Sequence, residues 1–72
     1  MYHHKLKSSS SIEHIDYHPE KEVLEIKFTS GLTYHYPGCP IEHYHALKDC
    51  DSAGNYFAQN IRYKYKAYKL LK

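Results

Sequence analysis

The last twelve residues, Ile-Arg-Tyr-Lys-Tyr-Lys-Ala-Tyr-Lys-Leu-Leu-Lys, interleave cations with aromatic rings: Arg62, Lys64, Lys66 and Lys69 alternate with Tyr63, Tyr65 and Tyr68. Guanidinium and ammonium groups neutralise phosphates, and phenol rings stack on bases at about 1–3 kcal/mol per contact. This composition suits single-stranded or tRNA-like RNA. The same segment also reads as a helix end whose tyrosines pack on a sheet and whose lysines complement the negative helix terminus. Upstream, Tyr34 and Tyr36 flank His35 and pose a parallel choice, between a stacking platform and one wall of a core.

Seven histidines and two cysteines raise metal chemistry, but the spacing argues against it. On a helix, His43 and His45 are two residues apart and point to different sides. Cys39, His43 and Cys50 share one helical stripe whose length lets at most the first two meet one ion. No metal site and no cofactor are expected. If a helix separates the two cysteines, eleven residues at a rise of about 1.5 Å place them about 16 Å apart, too far for a disulfide. Two free thiols in so small a chain suit a reducing compartment, and the first residues lack the apolar segment of a secretory signal, so a cytoplasmic protein is expected.

Length and composition narrow the field further. Seventy-two residues make one domain near the lower size limit for a single core, and no apolar run is long enough for a membrane span. The charge is uneven. All eight carboxylates lie between Glu13 and Asp51 against three lysines, a net −5, whereas Arg62 and the lysines after it add +5 with no acid. An acidic body with a basic tail points to phosphate contact or to the tail folding back on the body.

The elements that must position these residues follow from periodicity. Residues 1–9 show no clear period and are expected to be a flexible arm ahead of a single domain over 10–72. In Val-Leu-Glu-Ile-Lys-Phe (23–28), Leu24, Ile26 and Phe28 face one way while Glu25 and Lys27 face the other. A three-residue Thr29-Ser30-Gly31 turn, with Gly31 at the position needing positive φ, pairs Phe28 with Leu32, Ile26 with Tyr34 and Leu24 with Tyr36. A two-residue turn would cross polar with apolar. Upstream, a four-residue turn over 19–22 pairs Tyr17 with Leu24 and Ile15 with Ile26. Tyr34 and Tyr36 therefore face the core, with their hydroxyls expected at the rim.

Pro40 is placed to open a helix running to about Cys50, with Ile41, Tyr44 and Leu47 as its apolar stripe. Ser52 or Asp51 is placed to cap a second helix bearing Phe57 and Ile61. Gly54, in its first turn, is read as permitting close backbone packing. The expected fold is α+β, a three-stranded antiparallel meander followed by two helices on one sheet face. Its open face should carry Asp16, Glu25 and His35 in one cross-strand row, with His14, Lys27 and Thr33 in the next. Facing carboxylates should push one pKa up, and an imidazole beside them is the raw material of acid–base chemistry, but no nucleophile accompanies it. Ile12 and Val23 are expected on this face too, where a partner or second copy would cover them, and exposed strand edges offer another route to a dimer.

The ordered set Ser11-Ile12, Tyr17-His18-Pro19, residues 24–28, Tyr34-His35-Tyr36, Pro40 with Tyr44 and Leu47, residues 52–57, and Ile61-Arg62 with Tyr65 resembles the KTSC domain. That domain takes its name from the C-terminus of some lysyl-tRNA synthetases and occurs in small stand-alone bacterial and phage proteins. The resemblance spans about residues 10–66. His18 departs from the aspartate that often precedes the proline, and Cys39 and the lengthened basic tail are this chain's own. What the resemblance implies is RNA binding, with Tyr34, Tyr36 and Arg62 with Tyr65 as the carried-over residues. The expectation is a module that binds rather than catalyses, with RNA contacted by Arg62, Tyr63, Lys64, Tyr65, Lys66, Tyr68, Lys69, Tyr34 and Tyr36. The alternative is a protein-interaction module or homo-oligomer, such as a phage-encoded inhibitor of a host factor or a sequestering protein for a small anionic nucleotide.

Overall fold

The computed structural model describes residues 2–6 and 11–70. In chain order these form β1 (Tyr2–Lys5), β2 (Ile12–His18), β3 (Val23–Phe28), β4 (Thr33–Pro37), α1 (Ile41–Asp49), α2 (Ala53–Asn60) and β5 (Tyr68–Lys69). The strands make one antiparallel sheet in sequence order, β1-β2-β3-β4-β5. The fold is α+β as expected, but the meander has five strands rather than three.

Both central hairpins take the expected register. Tyr17 pairs with Leu24 and Ile15 with Ile26; on the other side Leu24 pairs with Tyr36 and Ile26 with Tyr34. The second turn closes through Phe28 N–H to the Leu32 carbonyl at 2.8 Å and Gly31 N–H to the Phe28 carbonyl at 2.9 Å. Gly31 holds φ at +96°, a conformation costly for any residue with a Cβ. Local turn length and period-two patterning therefore set the sheet's centre.

Ile12 corrects the expectation for the open face. The register shifts between Ile12 and His14, so Glu13 is an extra residue against Phe28, and this bulge turns Ile12 into the core, where it is fully buried. Strict alternation would have left it outside. Val23 is half-buried beside the turn.

The two added strands are edges. Tyr2–Lys5, expected as part of a loose arm, pairs with β2, and the Tyr2 ring lies 5.8 Å from that of Tyr44. Residues 1 and 7–9 of that arm, the expected domain start at Ser10 and the final residues 71–72 lie outside the described residues. At the far edge, β5 pairs Lys69 with Tyr34 and Tyr68 with His35, and Leu70 N–H donates to the Thr33 carbonyl at 2.8 Å. Residues 63–70, read as a helix end or as a basic tail that could fold back on the body, do fold back: they turn and add a short strand.

Both helices cover one face. Pro40 caps α1 rather than beginning it, and Ser52 caps α2, each without a side-chain capping bond. Ile12, Ile15, Tyr17, Leu24, Ile26 and Tyr36 from the sheet pack with Cys39, Tyr44, Leu47, Ala53, Phe57 and Ile61 as one core. The buried Tyr17 hydroxyl donates to the Cys39 carbonyl at 2.7 Å, satisfying a polar group that burial would otherwise penalise. Gly54 fits the close-packing reading, because a Cβ there would come within 2.8 Å of Ser11 Oγ. Both cysteines are free. No helix among the described residues is long and apolar enough to cross a membrane.

Candidate nucleic-acid interface

Beyond Asn60 the chain makes a tight turn: the Arg62 N–H donates to the Phe57 carbonyl, and the Ile61 carbonyl accepts from Lys64 and Tyr65. Ile61 is fully buried and anchors this turn against the core. The turn swings Arg62 and Tyr63 toward the end of the β3–β4 hairpin. A groove of about 630 Å³ opens there, lined by Phe28, Leu32, Tyr34, Tyr36 and Phe57 together with Arg62 and Tyr63.

Four residues singled out from the sequence thus meet in one place: Tyr34, Tyr36, Arg62 and Tyr63. Tyr36 is almost wholly buried and Tyr34 half-buried, so the two rings belong to the core and to the groove wall together. Phe57 ties them down edge-on, with ring centroids 5.6 Å from Tyr36 and 5.5 Å from Phe28, and Phe28 in turn lies 5.7 Å from Tyr34. Burial pushes the Tyr36 phenol up to about 12, Tyr34 adds to this, and the nearby Arg62 cation works in the other direction. Arg62 lies over the Tyr63 ring at 5.4 Å, and that ring is 83% exposed. A flat, accessible ring backed by a guanidinium can take up a planar anionic group.

The other named residues go elsewhere. Tyr65 is structural in its contacts: its hydroxyl meets His43 Nε2 at 3.1 Å, while the Tyr56 hydroxyl meets Nδ1 of the same ring at 2.9 Å. Lys66 sits over the exposed Tyr68 ring at 5.4 Å, and Tyr68 stands opposite His35, on the open side of the sheet. Lys69 faces the same side as Tyr34 along the β5 edge, and Lys64 is exposed beside the turn. The groove's aromatic floor, Phe28 and Phe57, was read from sequence only as core. Its signal was the three-residue turn, which exposes the end of the Phe28 and Tyr34 pair.

The open face assembles the acid–base row and extends it. His3, Asp16, Glu25, His35 and Tyr68 lie side by side across five strands. Glu25 Oε1 accepts from His35 at 2.8 Å and from His18 at 3.3 Å. Burial alone would raise the Glu25 pKa, but the two imidazole bonds and their charges outweigh it and hold the carboxyl below its ordinary value. Expected repulsion between facing carboxylates therefore does not raise Glu25, because each carboxylate turns to a histidine: Asp16 bonds to His3 instead.

Comparisons with known proteins agree with this architecture. The family model of the KTSC domain matches residues 8–65. A protein of Stutzerimonas stutzeri, described only as an uncharacterized protein, is 38% identical over 60 residues, covering 83% of this chain and 84% of its own. One from Tsukamurella paurometabola is 32% identical over 62 residues, 86% of this chain and 92% of its own. The crystal structure of a KTSC domain protein from Yersinia pestis superposes with a TM-score of 0.86 at 31% identity, over 97% of each chain. On sequence match, register and fold alike, the chain belongs to the KTSC domain family.

Proposed function

We propose that the protein is a small binding module for single-stranded or tRNA-like RNA, and not an enzyme. The carrying observation is the groove, where Arg62 and the exposed Tyr63 face Tyr34 and Tyr36 across an aromatic floor. One base stacks on Tyr63 against the hairpin rings while Arg62 holds its phosphate, and Lys64, Lys66 and Lys69, outside the groove, meet phosphates farther along the strand. A second reading has one supporting observation: the groove's volume falls within the range of small-molecule pockets, which suits sequestration of a single anionic nucleotide.

Truncation after Arg62 is a poor test, since it also removes β5 and the Tyr65 bond to His43. Point changes are cleaner. Fluorescence anisotropy with a labelled single-stranded RNA should give an affinity falling with salt at a log–log slope of about −3 for four cations. Arg62→Ala should reduce that slope by about 1, and Tyr63→Ala should cost about 1–3 kcal/mol. Tight binding of a mononucleotide with no gain from a longer strand favours the second reading. Salt-insensitive binding, or none, removes the first.

A further inference from the structure

Three side chains with ligating atoms converge at the β1–β2 edge of the open face. His3 stands opposite Asp16 in the ladder, and His14 projects from the same face two residues away. One ligating atom from each lies within 4.8 Å of the other two, and the two imidazole rings are 5.0 Å apart. Asp16 is 6% exposed, the sole buried charged side chain among the described residues. Its Oδ1 bonds to His3 Nδ1, while Oδ2 lies 3.4 Å from His14 Nδ1. That nitrogen is sealed from solvent and makes no hydrogen bond.

This last contact has a physical cost. On its other side, His14 Nε2 lies 3.8 Å from the Glu13 carboxylate, beyond hydrogen-bond distance. Nδ1 is thus a buried polar atom beside a buried carboxylate and yet without a hydrogen bond, a group left short of a partner. A cation resolves this. Ligand atoms on a four-coordinate ion with bonds of about 2.1 Å are separated by about 3.4 Å, the distance between His14 Nδ1 and Asp16 Oδ2. Two imidazole nitrogens with one carboxylate oxygen form a donor set for zinc-class ions, whereas magnesium and calcium call for more oxygens. A carboxylate near the far nitrogen of a ligating histidine is the usual orienting partner, and Glu13 lies 3.8 Å from His14 Nε2.

We propose that His3, His14 and Asp16 bind one divalent transition-metal ion of the zinc class, with water completing its coordination. The ion clamps the edge strand β1 onto β2. His3 lies outside residues 8–65, the span matched by the family model, so the third ligand comes from the edge strand that precedes that span.

The test uses the full chain, stripped with chelator and titrated with Co²⁺, whose visible absorption reports coordination by nitrogen and oxygen. One equivalent should bind, Zn²⁺ should displace it, and added Zn²⁺ should slow amide exchange in β1. His3→Ala, a change at an exposed edge, and His14→Gln should each weaken binding at least about tenfold. His18→Ala, His35→Ala and Cys50→Ser should leave it intact. The proposal fails if no stoichiometric spectrum develops, if the spectrum survives His3→Ala, or if it depends on Cys50 or His35. Circular dichroism of each variant separates loss of metal from loss of fold, and His3→Ala carries the decision should His14→Gln unfold.

Discussion

The two faces of the sheet come from alternate residues of the same strands, yet they obey opposite physics. On the inner face, Ile15, Ile26, Tyr17 and Leu24 meet the helices with little or no exposed surface, and their contribution is area removed from water. On the open face, His3, Asp16, Glu25 and His35 form a row of charge-assisted bonds whose strength depends on protonation. The first face acts through area removed from water, while the second acts through hydrogen bonds and ion pairs between side chains. One residue of register separates them, and the bulge at Glu13 shows how a strand end can switch sides when the core needs another apolar group.

Substitutions should expose this asymmetry in order of size. Leu24→Ala, at a fully buried position, should cost about 2–5 kcal/mol in chemical denaturation, against under about 1 kcal/mol for His35→Ala on the opposite face. Equal losses would erase the distinction between the faces. Gly54→Ala comes next. It gains about 1 kcal/mol of helix propensity but drives a Cβ to 2.8 Å from Ser11 Oγ, an overpacking of about 1–3 kcal/mol. A net loss of about 1 kcal/mol, relieved by Ser11→Ala, is expected; a stabilised variant would show that the helix has room to shift.

The smallest effect is electrostatic and visible only against pH. The folded-state pKa of Glu25 is depressed, so its contribution is present above the ordinary carboxylate range and is lost as pH falls through the folded value. Denaturation midpoints for Glu25→Gln and the parent should therefore converge in acid and separate toward neutral pH, with the parent the more stable. The inner face titrates at the other extreme. Tyr36 and Cys39 are both pushed up to about 12 by burial, so the stability they confer is complete below their unfolded values and is lost as pH rises toward 12. A thiol reagent at neutral pH should modify Cys50 and spare the wholly buried Cys39.

Much of the fold could be read from parity. Leu24, Ile26 and Phe28 alternate with Glu25 and Lys27, and the flanking turns of four and three residues admit one register that keeps apolar opposite apolar. That argument placed Tyr34 and Tyr36 inward and put Asp16, Glu25 and His35 in a row. It failed at Ile12, because a bulge leaves no mark in the alternation of a single strand. It misread Tyr2–Lys5 as part of a loose arm and gave no strand at Tyr68–Lys69, because these residues carry no pattern of their own and become strands by completing the hydrogen bonds of an edge already formed.

Local sequence determined the hairpins, the two helices and the inward set of side chains, because turn length and periodicity act over a few residues. Tertiary structure alone decided that Arg62 and Tyr63 come to face Tyr34 and Tyr36, and that His3 comes to Asp16 and His14. Those meetings join positions far apart in the chain. They exist because the core anchors Ile61 before the last turn and because the open edge of β2 had backbone groups left to pair.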